Sequence, residues 1–250
     1  MAYDQNWHMA HGDRTQESAR RILRHLSTVM PFRSVVDVGC GHGHWLEAAR
    51  ALDVMQVAGL DGPWNDPAAL RFPREDYRGV DFTGPWVIEG SFDLAICLEV
   101  AEHLREADAE RLVQNLTGAS DTVLFGAAIP FQGGYRHITE RWQSWWAAKF
   151  ASRGFEPFDL IRPLFWTDEA VHVWYRQNAL VYVKTANPAR VEAGRQAATA
   201  AAAQGLPLDI VHPERFLEIA SYRSIAFRPL LRRFPGAFVR KLADRFGSGG

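Results

Sequence analysis

Little in this chain points to an exported, membrane-spanning or nucleic-acid-binding protein. Two cysteines, Cys40 and Cys97, are too few for a disulfide framework. Each falls at the carboxyl end of an apolar run, where a thiol serves as a small buried filler. No apolar run approaches the roughly 18 residues of a membrane span. The opening MAYDQNWHMAHGDR has no apolar core and no paired arginines, so the expected location is cytoplasmic. Formal net charge is -1, so no general basic field draws the protein to nucleic acid.

What is present is the make-up of an ordinary globular chain: 250 residues, 47% hydrophobic and 23% charged. Ala19, Ile22, Leu23, Leu26 and Val29 recur at helical spacing, with Thr15 as a candidate cap and Pro31 as the stop. Buried-strand runs (SVVDVG, VAGLD, DYRGVDF, SFDLAICLEV, DTVLFGAAIP, EPFDLIRP, ALVYVKT) are separated by helical or loop stretches. This alternation predicts a doubly wound α/β sheet, mostly parallel, within residues 1–186. Residues 187–250 read as an Ala-rich linker or helix followed by a helical tail. From Leu206 onward that tail carries eight basic residues against four acids, with Phe and Leu interleaved.

The stretch VVDVGCGHGHW holds the first chemical signal. Gly39, Gly41 and Gly43 directly follow the first strand, so backbone can approach a ligand where a Cβ would collide. In an open α/β sheet ligands sit beyond the carboxyl ends of the strands, which is where this turn lies. A dinucleotide fingerprint requires glycine at residue 44, which is His, and no Gly-Lys-Ser/Thr marks a phosphate loop. Acids stand instead at three successive strand ends: Asp37, Asp61 and Asp81. Asp37 suits an ammonium, Asp61 a ribose diol, and Asp81, with Phe82 beside it, an adenine. Such a set selects a nucleoside carrying a cation rather than a phosphate. The plain alternative at each position is a turn former.

The series DVGCGHG, GLD, VDF and FDLAICLEVAEHL resembles the motifs of class I S-adenosylmethionine-dependent methyltransferases, in the family's order, over roughly residues 33–185. The resemblance implies a seven-stranded sheet with an antiparallel last strand, and S-adenosylmethionine as cofactor. It implies that Asp37, Gly39, Cys40, Gly41 and Gly43 hold the methionine part, that Asp61 and Gly62 hold the ribose, and that Asp81 and Phe82 flank the adenine. Leu98, Glu99 and His103 would line the floor near the methyl group.

A sugar hydroxyl is a poor nucleophile near neutral pH, so a base within hydrogen-bond reach helps, and histidine is the usual one. His137, on the loop after the fifth strand, is the leading candidate, with Glu140 three residues on to orient it and His103 second. Structural loop roles are the alternative for both. No acidic pair at ligand spacing marks a metal site, so none is expected. The stretch from His137 to Phe155, with RPLFWTDEAVHVWYRQNALVYV, resembles bacterial polysaccharide and secondary-metabolite sugar methyltransferases. It suggests an acceptor wall of Trp142, Trp145, Trp146, Trp166, Trp174 and Tyr175, with polar support from Arg141, Arg176, Gln177 and Asn178. Core packing is the alternative for at least half of these aromatics.

The expectation is therefore O-methylation of a sugar hydroxyl in a glycan, polysaccharide or secondary-metabolite precursor. An N- or O-methyltransferase of another small molecule or of nucleic acid is one alternative; a non-catalytic cofactor-binding scaffold is another. Residues 206–250 suit helices packed on the domain or on a second subunit, or a surface docking on anionic membrane at its inner face.

Overall fold

The computed structural model describes residues 5–63, 65–201 and 206–220. Seven strands form one sheet: β1 Ser34–Val38, β2 Gln56–Asp61, β3 Tyr77–Gly79, β4 Leu94–Leu98, β5 Thr122–Gly126, β6 Phe155–Phe158 and β7 Leu180–Lys184. Their order is β3-β2-β1-β4-β5-β7-β6. Every pair from β3 to β5 is parallel, while β7 runs antiparallel to both β5 and β6. This is the predicted sheet, including its antiparallel last strand.

Strands buried on both faces read as continuous apolar runs, because each face is covered by helices. Val35, Ile96, Leu124, Val181 and Val183 face a layer formed by helices α1 Gln5–Val29, α2 His44–Arg50 and α7 Pro188–Ala201. Their chain neighbours Val36, Ala95, Cys97, Val123, Phe125 and Tyr182 face the opposite layer, helices α3 Glu106–Ala119 and α4 Gln143–Ala151. In α1 the predicted stripe of Ala19, Ile22, Leu23 and Leu26 is buried. That helix begins well before Thr15, which lies in its interior rather than at its cap. Two short helices, α5 Arg162–Phe165 and α6 Val173–Asn178, fill the connection between β6 and β7.

Three segments depart from the sequence reading. The helix after β4 starts at Glu106; before it, Ala101–His103 forms a separate 3-10 turn. The aromatic helix starts only at Gln143, so residues 131–142 are irregular. The third strand stops at Gly79, which leaves Asp81 and Phe82 in the turn beyond it.

The domain limit also lies further on than residue 186, since one compact unit runs to Val211. Helix α7 packs on β6 and β7 with Val191 buried, and Gly194 lies so close to Phe158 that a Cβ there would stand 3.0 Å from its ring. The chain then crosses the sheet's far edge as a strap. Buried Arg162 donates to the carbonyls of Leu208 and Pro207 at 2.7 and 3.1 Å, and Asp209 accepts from Ser144 N and Oγ, both at 2.7 Å. A second unit comprises residues 212–250, of which helix α8 Pro213–Ala220 is described. The tail aromatics and arginines beyond it lie outside the described residues. Among the described residues no helix is long and apolar enough to cross a membrane.

Candidate active site

The glycine turn forms because β1 ends against β2. The amides of Gly39 and Cys40 both donate to the Leu60 carbonyl, at 2.7 and 3.1 Å. Gly39, Gly41 and Gly43 all adopt left-handed backbone, with φ of 82°, 54° and 87°, a region that glycine enters without the Cβ penalty. At Gly39 a Cβ would stand 2.2 Å from Val100 Cγ2, so the turn lies against the segment after β4. Asp61, closing β2, accepts from the Gly41 amide at 2.6 Å and from the Gly62 amide at 2.5 Å. Cys40 is buried against Phe72 and Gly59, and burial drives its thiol well above the usual range. Asp37 is buried in β1 beneath this turn, and its Oδ2 has no hydrogen-bond partner. Burial, then the nearby Asp61, push its carboxyl well above the ordinary carboxylate range. Asp81 stands apart from this group: it is exposed, and its Oδ1 already accepts from Thr83 N and Oγ1 at 2.9 and 2.7 Å. Phe82 is buried edge-on against Trp86, with ring centroids 5.0 Å apart.

A second cluster lies where β4 and β5 end. Glu99 follows Leu98 with φ of 56°, a left-handed conformation that costs a non-glycine residue about 1–3 kcal/mol and often marks a working site. Its two oxygens accept from Asn178 Nδ2 at 2.9 Å and Gln132 Nε2 at 3.1 Å, and Gln177 joins through Gln132 Oε1 at 2.9 Å. Three residues on, the 3-10 turn folds Glu102 inward. Its side chain is 1% exposed and lies against the Glu99 carboxyl. Burial, then the Glu99 carboxylate, raise the Glu102 carboxyl well above its ordinary range.

The loop after β5 is stitched onto that turn, since the Ile138 and Thr139 amides donate to the Glu102 carbonyl at 2.9 and 3.0 Å. His137 is thereby brought edge-on to His103, with ring centroids 4.9 Å apart. Burial, then His137, push His103 down to about 4, which makes it a neutral imidazole at physiological pH. His137 Nδ1 lies 3.0 Å from Glu140 Oε1. The same carboxylate accepts from the Gly133 and Phe131 amides, both at 2.8 Å. Glu140 is thus an acceptor on every side, so Nδ1 of His137 carries the hydrogen of this contact. Nε2 faces inward, 3.9 Å from Glu102 Oε1. The pairing expected three residues apart is present.

The sequence matches a protein family described as a methyltransferase domain, over residues 9–162. The chain belongs to this family. It is an S-adenosylmethionine-dependent methyltransferase. No curated protein matches it by sequence. Two solved structures share the fold of the methyltransferase. One is CalS10, an amino pentose methyltransferase from Micromonospora echinaspora, at 17% identity and TM-score 0.54, covering 74% of this chain and 99% of that one. The other is the sugar N-methyltransferase KedS8 from a Streptoalloteichus species, at 16% identity and TM-score 0.57, covering 74% and 94%.

The turn of the methyltransferase fits its cofactor. A buried acid with an unmet oxygen beneath three left-handed glycines suits an ammonium approaching bare backbone. Asp61 retains a lone pair on each oxygen for a diol, whereas Asp81 is already engaged by Thr83.

The aromatic wall is not a single surface. Trp146 is buried against Phe125, with ring centroids 4.9 Å apart. Tyr175 is buried edge-on to Trp45 on the other face of the sheet, at 5.2 Å. Trp174 stacks on His172 at 3.9 Å. Asn178 is buried in the Glu99 network, and Arg176 is buried with its Nη1 on the Trp166 carbonyl at 3.0 Å. Arg141, paired with Glu106 at 2.6 Å, and half-buried Trp145, under Lys149, remain nearer the surface with Trp142, which is 39% exposed.

Sequence reasoning missed Glu102 and Gln132. The signal for Glu102 was its place between Glu99 and His103 in EVAEHL; treating that stretch as the start of a helix hid it. Gly134 is a further feature, because a Cβ there would stand 2.3 Å from His137 Nε2. The expected outcome for Gly134→Ala is a folded protein whose imidazole is turned off Glu140, with turnover down by about tenfold or more for a displaced base. Circular dichroism and single-turnover rates check it; an unchanged rate would mean that the ring placement is not needed.

Proposed function

We propose that the methyltransferase acts on a hydroxyl of a sugar or glycan precursor and that His137 accepts the hydroxyl proton. The observation that carries this reading is the Glu140–His137 pair, an imidazole with one nitrogen fixed by a carboxylate at 3.0 Å and the other facing inward. When bound, S-adenosylmethionine supplies a methyl group on a cationic sulfur. Asp37 and the Gly39–Gly43 turn, Cys40 included, would hold its ammonium end, Asp61 and Gly62 its ribose, and Leu98 and Glu99 the floor below the methyl. Asp81 and Phe82, in the turn beyond β3, remain the candidates for the adenine edge. In such a transfer the methyl carbon–sulfur bond would break, its electron pair leaving on the now neutral sulfur, as the acceptor oxygen bonds to that carbon, and Nε2 of His137 would take the O–H proton. The Glu140 carboxylate then stabilises the imidazolium. Neutral His103 adds no positive charge beside that imidazolium. Arg141, Trp142, Trp145 and Trp166 are the candidates for the acceptor's ring and hydroxyls.

Methylation of a sugar amine is the second reading, favoured because two solved structures that share the fold are named as an amino pentose methyltransferase and a sugar N-methyltransferase. An amine needs less help from a base, so the two readings differ in how far His137 matters. A cytoplasmic location, and membrane docking or self-association through residues 206–250, belong to the same proposal. The deciding experiment is incubation with isotopically labelled cofactor against nucleotide-sugars and glycans with free hydroxyls or amines, read by mass. Transfer to hydroxyl acceptors is the expected result; label on amino sugars alone would replace the first reading with the second.

A further inference from the structure

Glu102, His103 and His137 each offer one ligand atom, and these atoms all lie within 4.8 Å of one another. Two of these residues come from the 3-10 turn after β4 and the third from the loop after β5, so no spacing along the chain announces the group. We propose that this trio is a site for a divalent transition-metal ion.

The strongest support is Glu102. A carboxyl that is 1% exposed and lies against a second buried carboxyl, that of Glu99, costs free energy to bury as an anion unless a cation meets it there. Gln132 and Asn178 both turn to Glu99, and the loop amides of Ile138 and Thr139 donate to the Glu102 carbonyl. The side chain is left aimed at two imidazoles. His137 is already oriented as a ligand: Nδ1 is held by Glu140 at 3.0 Å, and Nε2 faces Glu102 Oε1 at 3.9 Å. A ligating histidine usually donates its other N–H to a carboxylate in this way. An ion about 2.1 Å from each atom lies within a small side-chain adjustment of this geometry. Two imidazoles with one carboxylate suit zinc, cobalt, nickel, iron or manganese rather than calcium or magnesium, which prefer an all-oxygen shell.

The site bears on the proposed function, and rests on that reading only for His137. Nε2 cannot hold an ion and accept a proton at the same time, so metal occupancy withdraws the base and suppresses methyl transfer to a hydroxyl.

The test uses the full chain, stripped with a chelator and titrated with Co²⁺ by visible spectroscopy and with Zn²⁺ by calorimetry. One equivalent of each should bind to the wild type, with ligand-field bands for Co²⁺. Glu102→Gln and His103→Ala should each weaken binding by at least tenfold, while Glu106→Gln, outside the trio, should bind as wild type does. Two separate variants guard against either one misfolding. Failure of the wild type to bind, or equal binding by both variants, overturns the proposal. Turnover should fall as Co²⁺ loads. If turnover rises on loading while the variants lose the ion, the site stands and the base role of His137 falls. If metal-free His137→Ala turns over at the wild-type rate, the base role again fails without touching the site.

Discussion

Replacing His137 with alanine should lower turnover by about 10²–10⁴-fold and leave cofactor affinity where it is. The two effects separate because His137 belongs to the loop after β5, while the cofactor turn is built from β1 and β2. In the proposed role the imidazole would contribute one nitrogen at a fixed position. Glu140 ties down Nδ1 at 3.0 Å, so the wild-type ring spends little of its time in unproductive orientations. Alanine would remove the proposed proton acceptor. Single-turnover rates with a hydroxyl acceptor, beside calorimetric cofactor titration, check both halves. Near-normal turnover in the metal-free variant would take His137 out of the chemistry.

Asp37→Asn should weaken cofactor binding by about 10–100-fold, the worth of one buried charge-assisted hydrogen bond. The same change should make the cofactor-free protein more stable at neutral pH. The sign follows from linkage. Burial, then Asp61, raise the folded carboxyl well above its unfolded value. The folded state therefore binds the proton more tightly, and stability is lost as pH climbs from the unfolded value through the folded one. Asparagine keeps the shape, carries no proton to lose, and escapes that loss. A gain of about 1 kcal/mol would appear as a rise in Tm of roughly 2–4 °C for a unit of this size. The difference between variant and wild type should shrink as pH falls towards 4, where both side chains are neutral. A lower Tm at pH 7, or unchanged cofactor affinity, would show that Asp37 does not hold its charge for the ligand.

These two residues also show what the sequence discloses. Asp37 was legible because its neighbours are local: a strand and three alternating glycines fix where an acid at that position must lie. The sheet was legible for the same reason, since period and length mark each buried strand, and α1 followed from its stripe of Ala19, Ile22, Leu23 and Leu26. Glu140 was legible as a partner because it is only three residues from His137. Glu102 was not, because its significance depends on a loop more than thirty residues away folding back onto its carbonyl. The aromatic wall misled because composition does not say which face a tryptophan takes. Trp146 and Tyr175 sit on opposite sides of the sheet, each in ordinary core packing. Asp81 was placed at a strand end because VDF continues an apolar pattern, but β3 stops at Gly79 and a Thr83 cap takes the carboxylate.

The strap across the far edge of the sheet has a practical meaning for anyone shortening this chain. Cutting at residue 186, where the composition changes, would remove the lid over Phe158 and strip Arg162 of two carbonyls while leaving its guanidinium inside the protein. A stranded cation of that kind is far more damaging than a lost surface contact. The piece able to stand by itself therefore ends after Val211, and a truncation there keeps every carbonyl that Arg162 requires.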